Sequence, residues 1–329
     1  MKLALIMTGG TIGSQKDSEG WISLNCEQPY QILELFQGKF PHIAKGIEFS
    51  CEMPFQILSE NLNARYLNNL IEMVQEVLQQ KGLEGILICH GTDTIQYTAA
   101  ILSYVFSNIE IPILLVSSNY PLEDVRSNGL DNFRYAVETA TKDMKGVYVI
   151  YRNSDSNTYV RTGVSLLGHR TFDDNLYSVN GGTVGYYDAD GKWIADDSFE
   201  GIQYFQAEIT RKEGREPKTA HSKLIDITRP IVWLREYPGM AYPELNGQTK
   251  AVILEGYHSG TIAVDPRLRA FAQGAKQLSV PIYLTGGASE KGGYETMKEY
   301  QELGIRNLVN QSPIAVYCRL WLELSGRRL

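Results

Sequence analysis

Two short segments carry side chains able to do nucleophilic chemistry. Thr8-Gly9-Gly10-Thr11-Ile12-Gly13-Ser14 follows one apolar run, and His90-Gly91-Thr92-Asp93-Thr94 follows another. Glycines let the backbone turn sharply and bring its N–H groups close to a ligand. A threonine in such a turn presents a hydroxyl, and an adjacent aspartate can orient a second hydroxyl or bind an ammonium group. Hydroxyl nucleophiles are weak at neutral pH and need a nearby base or a hydrogen-bond relay. Taken singly, each segment also reads as a strand-to-helix turn with capping hydroxyls. The first matches neither the GxxxxGK[ST] phosphate loop nor the GxGxxG dinucleotide fingerprint. His90 reads as a hydrogen-bonded residue at a strand end rather than a general base.

The elements that must position these turns are legible as apolar runs and helical periodicities. Leu3–Met7, Gly85–Cys89, Ile111–Val116 and Val147–Tyr151 are continuous apolar strands. Tyr66, Leu67, Leu70, Ile71, Val74, Val77 and Leu78 recur at helical spacing, with Gly82 as a stop. Tyr97–Phe106 and Asn132–Lys142 supply further helices. Continuous strands separated by helices predict a parallel sheet covered on both faces, with ligands bound beyond the carboxyl ends of its strands. After Asn180 the turn signals Gly181-Gly182 and Asp188–Lys192 predict a hairpin. The charged stretch from Arg211 to His221 reads as a linker. A second α/β pattern follows, with strands at Ala251–Leu254 and Ile282–Leu284 and helices at Pro266–Leu278, Tyr294–Leu303 and Pro313–Leu324. The expected organisation is α/β with two domains. Residues 1–210 form a larger N-terminal domain with a parallel or mixed sheet, residues 211–222 a linker, and residues 223–329 a smaller C-terminal α/β domain.

Composition narrows the function classes. The 329 residues are 43% hydrophobic and 21% charged, which excludes wholesale disorder. A net charge of −7 with no basic stripe argues against nucleic acid or an anionic membrane as partner. The chain opens directly on a short apolar strand rather than a secretory signal, so a cytoplasmic location is expected. Cys26, Cys51, Cys89 and Cys318 lie far apart, which predicts free thiols and no zinc site. Twenty tyrosines are high for the length and read as packing residues.

The paired motifs resemble the two signature segments of the bacterial-type L-asparaginases, most like the cytoplasmic type I branch. The resemblance extends to Ser59-Glu60-Asn61, to the stretch from Pro121 to Gly129, to Glu236–Met240 and Lys250–Leu254, and to Gly292-Gly293-Tyr294. It implies that a threonine hydroxyl attacks the side-chain amide carbon of asparagine, that ammonia leaves, and that water releases aspartate from an acyl-enzyme. Thr11 is then the nucleophile. Thr92 belongs to a second triad that activates water or relays protons. Asp93 holds the substrate α-ammonium and Ser59 its α-carboxylate. Gly10, Gly91, Glu60, Ser118 and Trp21 complete the substrate-binding candidates. The resemblance also implies no metal or organic cofactor, a homodimer or homotetramer, and a site near a domain and subunit interface.

Three positions depart from the family pattern. Trp21 stands where the family has a lid tyrosine, and is expected to pack over the ligand as a lid anchor; its indole donates a hydrogen bond but accepts no proton. The stretch 154–163 lacks the family's lysine. Arg161 is the nearest cation there, as a site residue or as a surface or salt-bridging arginine, and it stays charged where a lysine can act as a base. Asn128 replaces an aspartate. His258 and Thr261 are further pocket candidates. The retained Thr11, Thr92, Asp93 and Ser59 point to an amidohydrolase acting on L-asparagine or a close analogue. The departures leave open a weakly catalytic or non-catalytic amino-acid binder. A third reading, an amidase subunit of a tRNA-dependent amidotransferase, is disfavoured by the direct start at the first strand and the lack of a basic surface.

Overall fold

Apolar runs without alternation become strands that are buried on both faces, and the helices between them supply the cover. A computed structural model describes residues 1–26, 28–206, 223–224, 230–287 and 293–326. The chain forms two compact units, Met1–Ile202 and Gln203–Leu329. The expected linker, residues 211–222, and Gly292 lie outside the described residues.

The first unit runs β1 (Lys2–Met7), a small hairpin of β2 (Ser14–Lys16) and β3 (Ile22–Leu24), α1 (Gln31–Lys39), α2 (Pro41–Ala44), β4 (Glu48–Glu52), α3 (Ala64–Val77), β5 (Leu83–Cys89), α4 (Ile95–Val105), β6 (Pro112–Val116), α5 (Gly129–Ala140), β7 (Gly146–Arg152), β8 (Thr158–Thr162), β9 (Thr183–Tyr187) and β10 (Trp193–Ala195). Eight of these strands form one sheet in the order β10-β9-β8-β7-β6-β5-β1-β4. The segment from β4 to β7 is parallel, and β8, β9 and β10 extend it antiparallel. The chain leaves β1 for β4 on one side and then crosses to β5 on the other. That reversal makes the carboxyl ends of β1 and β5 the place where a crevice opens.

Local sequence explains the cover. Asn63 caps α3 by accepting from the N–H groups of Arg65 and Tyr66, and Leu67, Leu70, Ile71 and Val74 form its buried stripe. Gly82, at φ 71°, ends the connection into β5. On the other face Leu5, Leu87 and Leu114 pack with Phe36 of α1 and Phe133 of α5. The expected hairpin after Asn180 is β9–β10, with Trp193 opposite Tyr187.

The second unit contains β11 (Ile231–Arg235), β12 (Ala251–Glu255), α6 (Pro266–Gln277), β13 (Ile282–Thr285), α7 (Met297–Glu302), β14 (Ile305–Asn307) and α8 (Pro313–Leu324). Its four strands pair in sequence order and in parallel. The helix expected over Tyr294–Leu303 is shorter, beginning at Met297. Among the described residues no helix is long and apolar enough to cross a membrane.

Candidate active site

Because β1 and β5 pair with Met7 opposite Cys89, the two glycine turns leave the sheet side by side. The Thr8 N–H and hydroxyl both donate to the Cys89 carbonyl, at 3.1 and 2.9 Å. The chain beyond β4 joins them. Gly10 N–H donates to the Ile57 carbonyl at 2.8 Å, and Ile57 N–H donates to the Thr8 carbonyl at 3.0 Å. Gly10 then takes φ 73° and presses against the second motif. A Cβ built on Gly10 would lie 2.2 Å from Gly91 Cα, and one on Gly91 would lie 2.4 Å from Ser59 Oγ. Three segments distant in sequence therefore meet at a point that only bare backbone permits.

Each touching glycine is followed by a threonine. Thr11 opens a single 3₁₀ turn, Thr11–Gly13, and Thr92 precedes Asp93 just before α4. Both threonines are half-buried, and neither hydroxyl has a hydrogen-bond partner among the described residues. The N–H groups of Gly91, Thr92 and Asp93 likewise find no carbonyl partner among those residues. Free hydroxyls beside free amides at the start of a helix are the ingredients of nucleophilic attack with oxyanion stabilisation. Ser59, buried in the 3₁₀ turn Ser59–Asn61, donates to the exposed Asp93 carboxylate at 3.1 Å. The Thr94 hydroxyl donates to the Ser59 carbonyl at 3.0 Å, so the second motif is bolted to the third segment as well.

His90 is structural. It is 2% exposed, and burial lowers its pKa to about 4, so the ring is neutral near pH 7. Its Nδ1 lies 2.9 Å from the Gly91 carbonyl, which can only accept, so the proton sits on Nδ1 and Nε2 accepts from the Thr98 hydroxyl at 2.9 Å. Nothing in the sequence singles out Thr98, which serves this ring from within α4.

Arg161 is not a surface residue. It lies in β8, 5% exposed, with its guanidinium 4.1 Å from the Tyr159 ring centroid. It forms no ion pair among the described residues, and its Nε and Nη1 have no hydrogen-bond partner. Burial pulls its pKa down to about 10. A cation held without a counter-charge is costly, which marks the position as a candidate for recognising a ligand.

Other candidates sit apart. Ser118 is fully buried, and its hydroxyl is shared between the Tyr120 carbonyl and Ser127 Oγ, within its own loop. Asn128 uses both ends of its amide: the oxygen accepts from Asn119 N–H at 2.9 Å and the nitrogen donates to the Arg152 carbonyl at 2.9 Å. An aspartate there could not make the second bond. Trp21 is 72% exposed at the tip of the β2–β3 hairpin, and Glu60 is exposed. His258 and Thr261 belong to the second unit, where the Thr261 hydroxyl pairs with Ser259 at 2.7 Å.

Comparison with known proteins decides the family. Residues 2–193 match the model for the N-terminal part of asparaginase. The chain belongs to the asparaginase family. Solved structures share the fold: the thermostable L-asparaginase from Thermococcus kodakarensis at 23% identity, with a TM-score of 0.70 covering 99% of this chain and 93% of that one, and L-asparaginase I from Vibrio cholerae at 20%, with a TM-score of 0.73 covering 100% and 94%. Among curated asparaginase-family relatives, one component of the glutamyl-tRNA(Gln) amidotransferase of Methanosarcina acetivorans is 29% identical over 86% of this chain. The corresponding component from Methanococcus vannielii is 28% identical over 77%. The chain spans 64% and 58% of the length of these two relatives.

Proposed function

We propose that the chain hydrolyses the side-chain amide of L-asparagine or a close analogue, with Thr11 as nucleophile. The observation that carries this reading is the convergence of Gly10, Gly91 and Ser59, which sets Thr11 beside Thr92 and Asp93. The Thr11 oxygen bonds to the amide carbon, the carbonyl oxygen becomes an oxyanion, and the free amides of the second motif stabilise it, a contribution of about 3 kcal/mol per donor. The C–N bond breaks, ammonia leaves with a proton, and water directed through Thr92 cleaves the acyl ester. The Asp93 carboxylate takes the substrate α-ammonium, and Ser59 turns its hydroxyl from Asp93 to the α-carboxylate. Arg161 supplies fixed positive charge in place of a proton-transferring lysine.

The test is ammonia release from L-asparagine, L-glutamine and a panel of ω-amides, beside Thr11→Ala. The expected loss in the variant is at least about a thousandfold. No Thr11-dependent release from any amide would leave an amino-acid-binding protein instead.

The curated relatives favour a second reading, in which amide hydrolysis by this chain serves amidation of glutamyl-tRNA(Gln). Stimulation of Thr11-dependent hydrolysis by added glutamyl-tRNA(Gln) would support it. Full turnover of free asparagine with no response to that tRNA would set it aside.

A further inference from the structure

We infer that Asp124 and Lys16 are positioning residues for the proposed amidohydrolase site: they latch the hairpin that follows Thr11 to the loop that follows β6. The hairpin is stiff within itself. At its tip Asp17 Oδ1 accepts from the N–H groups of Glu19 and Trp21, both at 2.9 Å, and Asp17 N–H donates to the Trp21 carbonyl at 2.9 Å. At its base Asn25 N–H donates to the Gly13 carbonyl at 2.9 Å, and Ser14 Oγ donates to the Gly10 carbonyl at 2.8 Å. Thr11 therefore sits at the root of a rigid tongue, and any swing of the tongue is transmitted to the turn that carries the nucleophile.

Lys16 ties the outer part of that tongue. Its Nζ donates to Asp124 Oδ2 at 2.8 Å, across 108 positions of sequence. The carboxylate is prepared for it. Arg126 grips Asp124 with Nε and Nη2 at 2.9 and 2.7 Å while stacking on the Tyr120 ring at 4.0 Å. Asp124 has 10% of its side-chain surface exposed, against 39% for Lys16, so the acceptor is fixed in the body and the cation is the arm that reaches it. The loop holding Asp124 is itself anchored at both ends, since Asn119 and Asn128 exchange reciprocal backbone-to-side-chain bonds at 2.9 and 3.0 Å. Two neighbouring cations hold the Asp124 carboxyl well below the usual carboxylate range, so the latch stays charged in mild acid. A partly exposed pair of this kind is weak by design and sensitive to salt. It biases a hinge without freezing it.

The inference rests on the proposed function for its catalytic meaning but not for its physical content, so hydrogen exchange and kinetics are read side by side in wild type, Lys16→Met, Asp124→Asn and the conservative Lys16→Arg. Lys16→Met and Asp124→Asn are expected to speed exchange of amides 14–24 by about two- to fivefold, with protection elsewhere unchanged. The wild type in 1 M salt should follow them, and Lys16→Arg should keep wild-type exchange. KM for the amide substrate should rise by the same factor at constant kcat, because the binding-competent pose is less populated. Wild-type exchange in Lys16→Met would overturn the latch, and faster exchange with unchanged KM would overturn its positioning role. Faster exchange in a protein that releases no Thr11-dependent ammonia would sink the amidohydrolase reading and leave the latch standing.

Discussion

The junction of the two glycine turns and the strand bearing Arg161 belong to one sheet but are organised in opposite ways. At the junction the main chain does the positioning. Backbone contacts and carbonyl bonds fix Gly10, Ile57, Cys89 and Gly91, and the hydroxyls of Thr11 and Thr92 are left without partners among the described residues. In β8 the main chain is an ordinary ladder, with Arg161 opposite Val149, and it is the side chain that is unusual, buried with two guanidinium nitrogens unpaired. The first arrangement keeps reactive groups available at little cost to stability. The second stores an uncompensated charge whose cost the rest of the fold must offset.

That contrast breaks down if backbone crowding at the junction is not limiting. Gly10→Ala adds a Cβ 2.2 Å from Gly91 Cα at a φ of 73°, and should cost about 3–5 kcal/mol or prevent accumulation of folded protein. Gly20→Ala, at φ 91° but with nothing within 4 Å of the added carbon, should cost only about 1 kcal/mol. Equal shifts of the two thermal midpoints would show that conformation alone, not the meeting of the turns, matters.

His90 sharpens the comparison from the junction side, because it is a buried titratable group with both ring nitrogens bonded. Its folded pKa of about 4 lies below the ordinary 6.5. Between those values the unfolded chain binds the proton more readily, so stability is complete above about pH 6.5 and falls as pH drops toward 4, by about 3 kcal/mol in total. Urea unfolding from pH 7.5 to 4.5 should show that loss in the wild type and a markedly smaller one in His90→Gln. A flat difference between them would place the acid sensitivity elsewhere.

The smallest stability effect belongs to Arg161. Arg161→Met removes an unpaired charge and keeps the volume, so it should be neutral or stabilising by about 1 kcal/mol while turnover of the amide substrate falls at least about tenfold. Unchanged kinetics with raised stability would make the arginine a relic of packing and remove it from the site.

The fold was legible where burial dictates composition. Runs such as Leu87–Cys89 and Leu114–Val116 have one physical explanation, and their strands pair as continuous apolar segments do. β8 escaped because Thr-Tyr-Val-Arg-Thr carries a charge in mid-strand. β2 and β3 escaped because three-residue polar strands have no periodicity to read. At the site, hydroxyl and glycine spacing marked the two turns, since a close approach of backbones demands glycine. Contacts made by side chains across long separations left no local trace. Thr98 beneath His90, the inward turn of Ser118 and the grip of Asp124 on Lys16 depend on where whole elements dock.

The parallel pairing of β1 with β5 has a kinetic corollary. Met7 reaches Cys89 only after the intervening chain has closed a loop of some eighty residues, passing through β4 and α3 on the way. No partly folded species lacking that closure holds the two threonines together. Reactive geometry should thus emerge late during folding, in step with the most non-local pairing of the first unit's parallel strands, so a nascent or misfolded copy carries no stray nucleophilic centre.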